Sequence, residues 1–94
     1  MGNLKYLKEY AWINMGRQRK EVIRLFPDRP VTAEELRKKI NEKSSLKLSL
    51  REMSRHLTTF AENGILKCIN PDAPYNRSHI ITDKGKKIRR QFLN

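Results

Sequence analysis

Hydrophobic residues recur at three- and four-residue steps along much of the chain, which is the spacing of amphipathic helices. The first such pattern covers residues 3–15, and Gly16 is expected to break or kink the helix there. A second helix is predicted over residues 17–26. The prolines of residues 27–30 end it, because proline cannot continue a helix.

Two capping boxes mark the starts of two further helices. In a capping box, a Ser or Thr side chain accepts a bond from a backbone N–H three residues later, and a Glu or Gln there reaches back to the cap residue. Thr32 and Glu35 fit the first box and predict a helix over residues 33–43. Ser49 and Glu52 fit the second, so another helix is predicted to begin directly after Ser49.

This fourth helix has the clearest amphipathic pattern in the chain, and the Asn63-Gly64 pair predicts its end. At about 100° per residue, one side of the helix receives a mostly apolar set. That set is Leu50, Met53, Ser54, Leu57, Phe60 and Ala61. The opposite side receives Arg51, Glu52, Arg55, Thr59 and Glu62. The first side is expected to face the core and the second to face solvent or a ligand.

A β-hairpin is predicted next, from two short runs rich in β-branched residues at 65–69 and 78–82. Residues 70–77 form its long tip, which two prolines stiffen. Thr82 and Asp83 then cap a last helix, with Ile88 and Phe92 one turn apart on its inner side.

Length and charge narrow the classes of function. The 94 residues allow one small domain, residues 1–94, in which the helix over 3–15 is a candidate for dimerisation. The 21 Lys and Arg residues outnumber the 10 Asp and Glu residues, which gives a formal net charge of +11 at pH 7. A charge of this size favours a polyanionic partner, and nucleic acid is the expected one.

Several other classes are not expected. The apolar runs are too short for a membrane span or a signal peptide, so no membrane partner is predicted and the expected location is the cytoplasm. Cys68 cannot form an intrachain disulfide, and with only His56 and His79 beside it a metal site is not expected. No phosphate-binding glycine loop or catalytic motif is found, so neither an enzyme, a cofactor nor an obvious small-molecule ligand is predicted.

The order of predicted elements resembles a winged helix-turn-helix, and three sequence motifs carry that resemblance further. The stretches LSLREMSRHL at 48–57 and FAENGIL at 60–66 are similar to the recognition helix and first wing strand of MarR-like prokaryotic (archaeal-type) regulators. RSHIITDKGK at 77–86 is similar to the wing of that family, in which an arginine leads into a strand ending in a Leu-Thr-Glu-Lys-Gly-like sequence. The resemblance covers about residues 17–88.

The resemblance implies a mainly α fold with a small β-hairpin, about five helices and a two- to three-stranded wing sheet. It also implies a DNA-binding regulator of transcription. A recognition helix lies in the major groove of B-DNA and reads base edges with the exposed side chains of its first turns. Here Arg51 or Arg55 is expected to read guanine, with Arg55 preferred, and Thr59 shares their face. Glu52 has two open interpretations, as an acceptor for cytosine N4 or as the helix cap.

Phosphate contacts are expected in two places, at the start of the fourth helix and at the hairpin tip. The start of a helix attracts phosphate through its free N–H groups and its dipole. The polar residues around that start are Ser44, Ser45, Lys47 and Ser49. At the hairpin tip, the residues expected along the backbone or in a narrow minor groove are Tyr75, Asn76 and Arg77.

The sequence therefore predicts a sequence-specific regulator that binds double-stranded DNA. A homodimer is expected, since a single winged helix makes too few contacts for a selective site and dimers read two half-sites. The alternative is a winged-helix module that binds structured RNA or a protein partner, because the fold alone does not determine the function.

Overall fold

Helices α1 and α2 open the fold in the computed structural model, which describes residues 4–93. A short 3-10 turn, Leu4–Tyr6, leads into α1 (Leu7–Asn14), and α2 spans Arg17–Leu25. The predicted helix start at Asn3 lies outside the described residues. Gly16 has extended backbone angles, φ −122° and ψ 122°, so the predicted break between the two helices is confirmed.

Both capping boxes form as predicted. The strand β1 (Val31–Thr32) runs directly into α3 (Ala33–Lys43), and the Glu35 backbone N–H donates to the Thr32 hydroxyl at 3.2 Å. At the start of α4 (Leu50–Glu62), the corresponding bond to the Ser49 hydroxyl is 3.1 Å long. Gly64, with φ +74°, adopts the left-handed conformation just past the end of α4.

The sheet has three antiparallel strands in the order β1-β3-β2. Strand β2 (Leu66–Cys68) and strand β3 (Ser78–Ile81) form the predicted hairpin, each slightly shorter than its apolar run. Because β3 lies in the centre, His79 is paired with Val31 on one side and with Cys68 on the other. The chain ends in α5 (Asp83–Arg89) and a 3-10 turn, Arg90–Phe92.

The core sits where α1 to α5 and the sheet converge. Its buried side chains are Ile13, Val22, Ile23, Phe26, Val31, Leu36, Ile40, Leu48, Met53, Leu57, Phe60, Ile65, Leu66, Ile81 and Ile88. Helix α3 packs against α4, and α4 contributes Met53, Leu57 and Phe60 to the core. Five helices with a small antiparallel sheet confirm the predicted fold class, a mainly helical winged helix-turn-helix.

Two side chains on the predicted inner side of α4 are placed differently. Leu50 is 47% exposed, and Ser54 on the same flank is exposed as well. The prediction that they face the core is wrong, because the core contact of α4 is centred on Met53, Leu57 and Phe60. Leu50 and Ser54 therefore lie on one edge of the outer surface.

Candidate nucleic-acid interface

The outward face of α4 presents two exposed arginines one helical turn apart. Arg51 and Arg55 are four residues apart, which corresponds to about 6 Å along the axis of an α-helix. That spacing is close to twice the ~3.4 Å rise of a base pair. Neither arginine belongs to an ion pair within residues 4–93. Both guanidinium groups are thus available to a ligand.

Thr58 shares this exposed face, and sequence reasoning missed it in favour of Thr59. Thr59 is half-buried on the flank, and its hydroxyl donates to the Arg55 carbonyl oxygen at 2.9 Å. Thr58 is exposed, seven residues after Arg51 and three after Arg55, so it lies in line with both. The helical spacing that places Arg51 and Arg55 on one face also places Thr58 there.

Glu52 serves as a helix cap. Its Oε1 atom accepts the Ser49 backbone N–H at 2.9 Å, and this hydrogen bond is the main reason that the pKa of Glu52 lies below its ordinary value. Glu52 lies on the flank that faces α2, where His56 Nε2 is 2.8 Å from the Gln18 side-chain oxygen. The capping interpretation is therefore the one that the geometry supports, while contact with cytosine stays a prediction.

His56 completes the flank of α4 that faces α2. Burial is the largest cause that lowers the pKa of His56, and the neighbouring Arg19 cation lowers it further, while Glu52 opposes the shift. The imidazole is consequently neutral near pH 7, since its ordinary value is 6.5. Near pH 7, His56 therefore adds no positive charge to this flank.

The turn between α3 and α4 is braced by side chains. Ser44 caps the end of α3, where its hydroxyl donates to the Ile40 carbonyl oxygen at 2.8 Å and accepts the Leu46 N–H. Asn41 bonds both backbone groups of Leu48, at 2.9 and 3.0 Å. Ser44 is thus committed to the turn, and these hydrogen bonds brace the turn beside the start of α4.

Arg17 joins the predicted phosphate-facing residues and was not found from the sequence. It lies at the start of α2, and its guanidinium donates a hydrogen bond to the Ser45 hydroxyl. Ser45, Lys47 and Ser49 are all exposed near the start of α4. No local pattern brings Arg17 to this turn, because 28 residues separate it from Ser45.

The hairpin tip is an ordered loop. The Asn70 side-chain oxygen accepts the Ser78 backbone N–H at 2.7 Å, and Arg77 Nε donates to the Ala73 carbonyl oxygen at 2.9 Å. Asn76 adopts the left-handed conformation, with φ 55°, and the Tyr75 side chain is 81% exposed. This loop presents Tyr75, Asn76 and Arg77 outward, as their proposed role requires.

A groove of about 650 Å³ lies between α4 and the hairpin tip. Residues Leu50, Ser54 and Thr58 line its α4 wall. The opposite wall is formed by the tip, including Pro74, Tyr75, Asn76 and Arg77. The structure therefore brings the predicted tip residues next to α4, on the flank away from Glu52 and Thr59.

His79 lines this groove from the sheet and is almost completely buried, with 7% of its surface exposed. Its Nδ1 atom has no hydrogen-bond partner among the described residues. Burial, followed by the nearby Arg77 cation, lowers the pKa of His79 below 6.5. The side chain is therefore neutral near pH 7 and adds no charge to the groove.

Residues 4–93 offer neither a cluster of metal ligands nor a membrane-spanning helix. This part of the chain contains no group of three or more His, Cys, Asp or Glu side chains arranged to hold a metal ion. None of its helices has the length and apolar character needed to cross a membrane. The exposed face of α4, the adjoining turn and the hairpin tip together form the candidate interface.

No protein-family model, curated protein sequence or solved structure matches this chain.

Proposed function

We propose that this chain is a sequence-specific regulator of transcription that binds double-stranded DNA. The observation that carries the proposal is the pair of exposed arginines on α4, which have no ion-pair partner within residues 4–93 and lie beside a polar turn in a protein of net charge +11. The geometry suits an α-helix that enters the major groove of B-DNA, about 12 Å wide. We extend the proposal to a relationship with MarR-like regulators and to action in the cytoplasm, on the sequence motifs alone.

In the proposed complex, base reading and positioning are divided between different residues. Arg51 and Arg55 each bond the O6 and N7 atoms of a guanine through two parallel N–H groups. Arg17, Ser45 and Lys47, together with the free N–H groups at the start of α4, hold backbone phosphates and set the register. Arg77 at the tip follows the backbone or enters a narrow minor groove.

The protein acts as a homodimer in this proposal, so that two copies of α4 read two half-sites about one helical turn of DNA apart. Exposed apolar side chains near both ends of the chain suit a self-complementary contact. Leu7 and Leu93 are each 54% exposed, and the Tyr10 and Phe92 rings stack with centroids 5.0 Å apart. Light scattering at micromolar concentration should give the mass of two chains, and a monomeric mass removes this part of the proposal.

The first experiment compares binding to random duplex DNA, single-stranded DNA and structured RNA over a series of salt concentrations. Phosphate contacts release counterions, so log affinity for duplex DNA should fall steeply and linearly with log salt concentration. Duplex DNA should bind most tightly. Preference for RNA, or no binding in spite of the net charge, contradicts the proposed function.

The second experiment separates selective from general attraction after a preferred duplex has been chosen by selection from random sequences. Arg55→Ala should lose about 1–3 kcal/mol of discrimination at one defined base pair. Lys87→Ala removes the same charge from an exposed position on α5 and is the matched control. Lys87→Ala should weaken binding to all duplex sequences slightly and equally. If both variants show the same dependence of affinity on sequence, the proposed reading role of α4 is contradicted.

A further inference from the structure

Leu50 is the unexplained residue of the candidate interface. It occupies the first position of α4, directly after the Ser49 cap, with 47% of its surface exposed. Water contact with a leucine side chain is unfavourable, by about 25 cal/mol for each Å² of apolar surface. Its neighbour Arg51 is exposed and cationic, so an apolar protein surface is a poor occupant for this place. A polyanion with an aliphatic group at its surface suits both side chains.

Thr58 extends the aliphatic surface along the same wall of the groove. Its hydroxyl donates to the Ser54 carbonyl oxygen at 3.1 Å, so the polar atom of the side chain is bonded to its own helix. The γ-methyl group is then the other substituent of Cβ on this exposed residue. Leu50 and Thr58 both line the groove, two helical turns apart on one wall.

The major groove of B-DNA displays one aliphatic group, the C5-methyl of thymine, among its hydrogen-bond donors and acceptors. The N-terminal residues of a recognition helix are the ones that reach base edges. We propose that Leu50 binds the C5-methyl group of a thymine, with Thr58 extending the same apolar wall, beside the guanines contacted by Arg51 and Arg55. This inference rests on the proposed function and adds a preference for thymine over cytosine at a defined position.

The test removes one methyl group at a time from the selected duplex, by replacing each thymine with deoxyuridine, which keeps every hydrogen-bonding group of the base. At the position facing Leu50, the affinity of the unaltered protein should fall about fourfold, as expected for burying one methylene-sized group. Leu50→Ala should bind the thymine and deoxyuridine duplexes equally. The fourfold difference should therefore disappear only when the leucine is absent.

Ile69→Ala is the matched control, because Ile69 is also aliphatic, is similarly exposed at 48%, and is not among the residues that line the groove. It should keep the fourfold difference, and thermal melting of both variants should show that each remains folded. Equal affinity of the unaltered protein for every deoxyuridine duplex overturns the thymine contact, as does an unchanged difference in Leu50→Ala. In both cases tight binding to the parent duplex leaves the proposed function standing, whereas loss of all duplex selectivity contradicts the function itself.

Discussion

Helices α4 and α5 both carry basic residues, but the surroundings of those residues differ. On α5, Lys84 Nζ lies 2.7 Å from a Glu9 carboxylate oxygen and donates to the Asn63 carbonyl oxygen at 2.9 Å. Arg89, whose side chain is 14% exposed, donates to the Phe26 carbonyl oxygen at 2.6 Å. These two cations satisfy backbone oxygens at the ends of α4 and α2.

On α4, the cations serve no such purpose. Arg51 and Arg55 are exposed, and no ion pair within the described residues includes them. The helix is held by its cap and by its buried side, both of which are independent of the arginines. The net charge counts the cations of both helices alike, so it does not locate a binding surface. Lys84 and Arg89 on α5 differ from Arg51 and Arg55 on α4 in having backbone oxygens as hydrogen-bond partners.

The largest expected effect concerns Gly85, where α5 comes close to the backbone of Ile65, just before β2. A Cβ atom at Gly85 would lie 2.2 Å from the Ile65 carbonyl oxygen and 2.7 Å from Ile81 Cγ1. Gly85→Ala should therefore lower the free energy of unfolding by about 3 kcal/mol, measured by urea denaturation, because backbone must move. Gly16→Ala is the control, since the three atoms nearest to its Cβ would all belong to the flexible Arg19 side chain. Equal stability of the two variants contradicts the close packing of α5 against Ile65 and Ile81.

Replacing one arginine on each helix compares how much α4 and α5 depend on their cations for stability. Arg89→Ala leaves the Phe26 carbonyl oxygen without its donor, and it should cost about 1–3 kcal/mol of unfolding free energy. Arg55→Ala should change that free energy by no more than about 0.5 kcal/mol, as is usual for exposed positions. Chemical denaturation of both variants measures the contrast. A larger loss for Arg55→Ala reverses the comparison.

Substitutions at Ser49, the cap residue of α4, test whether one side chain both stabilises the helix and lies near a bound phosphate. Ser49→Ala removes the cap and should cost about 1 kcal/mol of stability. Ser49→Asp keeps a capping oxygen and should restore most of that stability, but its negative charge repels phosphate at the start of the helix. Thermal melting and duplex binding measure the two effects separately. Full DNA affinity in Ser49→Asp is inconsistent with a phosphate held there.

The smallest effect is the titration of Glu9, the partner of Lys84. The hydrogen bond from Lys84 is the largest cause that holds the pKa of Glu9 below its ordinary value of 4.5. Lys84→Met should raise this pKa toward that value, and NMR titration of the Glu9 carboxyl measures it. Lys86→Met, which removes an exposed cation of α5, should leave the pKa of Glu9 below its ordinary value.

The same shift gives the direction of the pH dependence. A carboxyl group with a lower pKa in the folded than in the unfolded chain stabilises the fold above the unfolded value. That contribution is lost as the pH falls through the folded pKa. Stability should therefore decline on acidification below about pH 4.5, and less steeply in Glu9→Gln than in the unaltered chain.

Local hydrogen bonds explain why the helices and their caps were predicted well from the sequence. In both capping boxes, the partners are three residues apart, so residue identity and spacing are enough to find them. The end of α4 was predicted for the same reason, because Gly64 adopts the left-handed conformation that glycine accepts at little cost. The fold class followed from the order of these elements.

Candidate site residues were predicted less completely. Arg51 and Arg55 were found because helical spacing and exposure coincide for them. Thr59 was chosen instead of Thr58 because one residue of rotation decides which side chain is exposed. The apolar character of Leu50 predicts a place in the core, but the elements that pack against α4 decide which of its flanks is buried.

The sequence by itself thus determined the helices, their caps, the hairpin and the charge, all of which depend on neighbours a few residues apart. Only the tertiary structure decided the long-range partners, such as Arg17 with Ser45 and Arg89 with Phe26, which lie 28 and 63 residues apart. It also placed the hairpin tip beside the Leu50 flank of α4 and left that leucine exposed. Packing of whole elements sets these contacts, and packing depends on the complete chain rather than on any single segment.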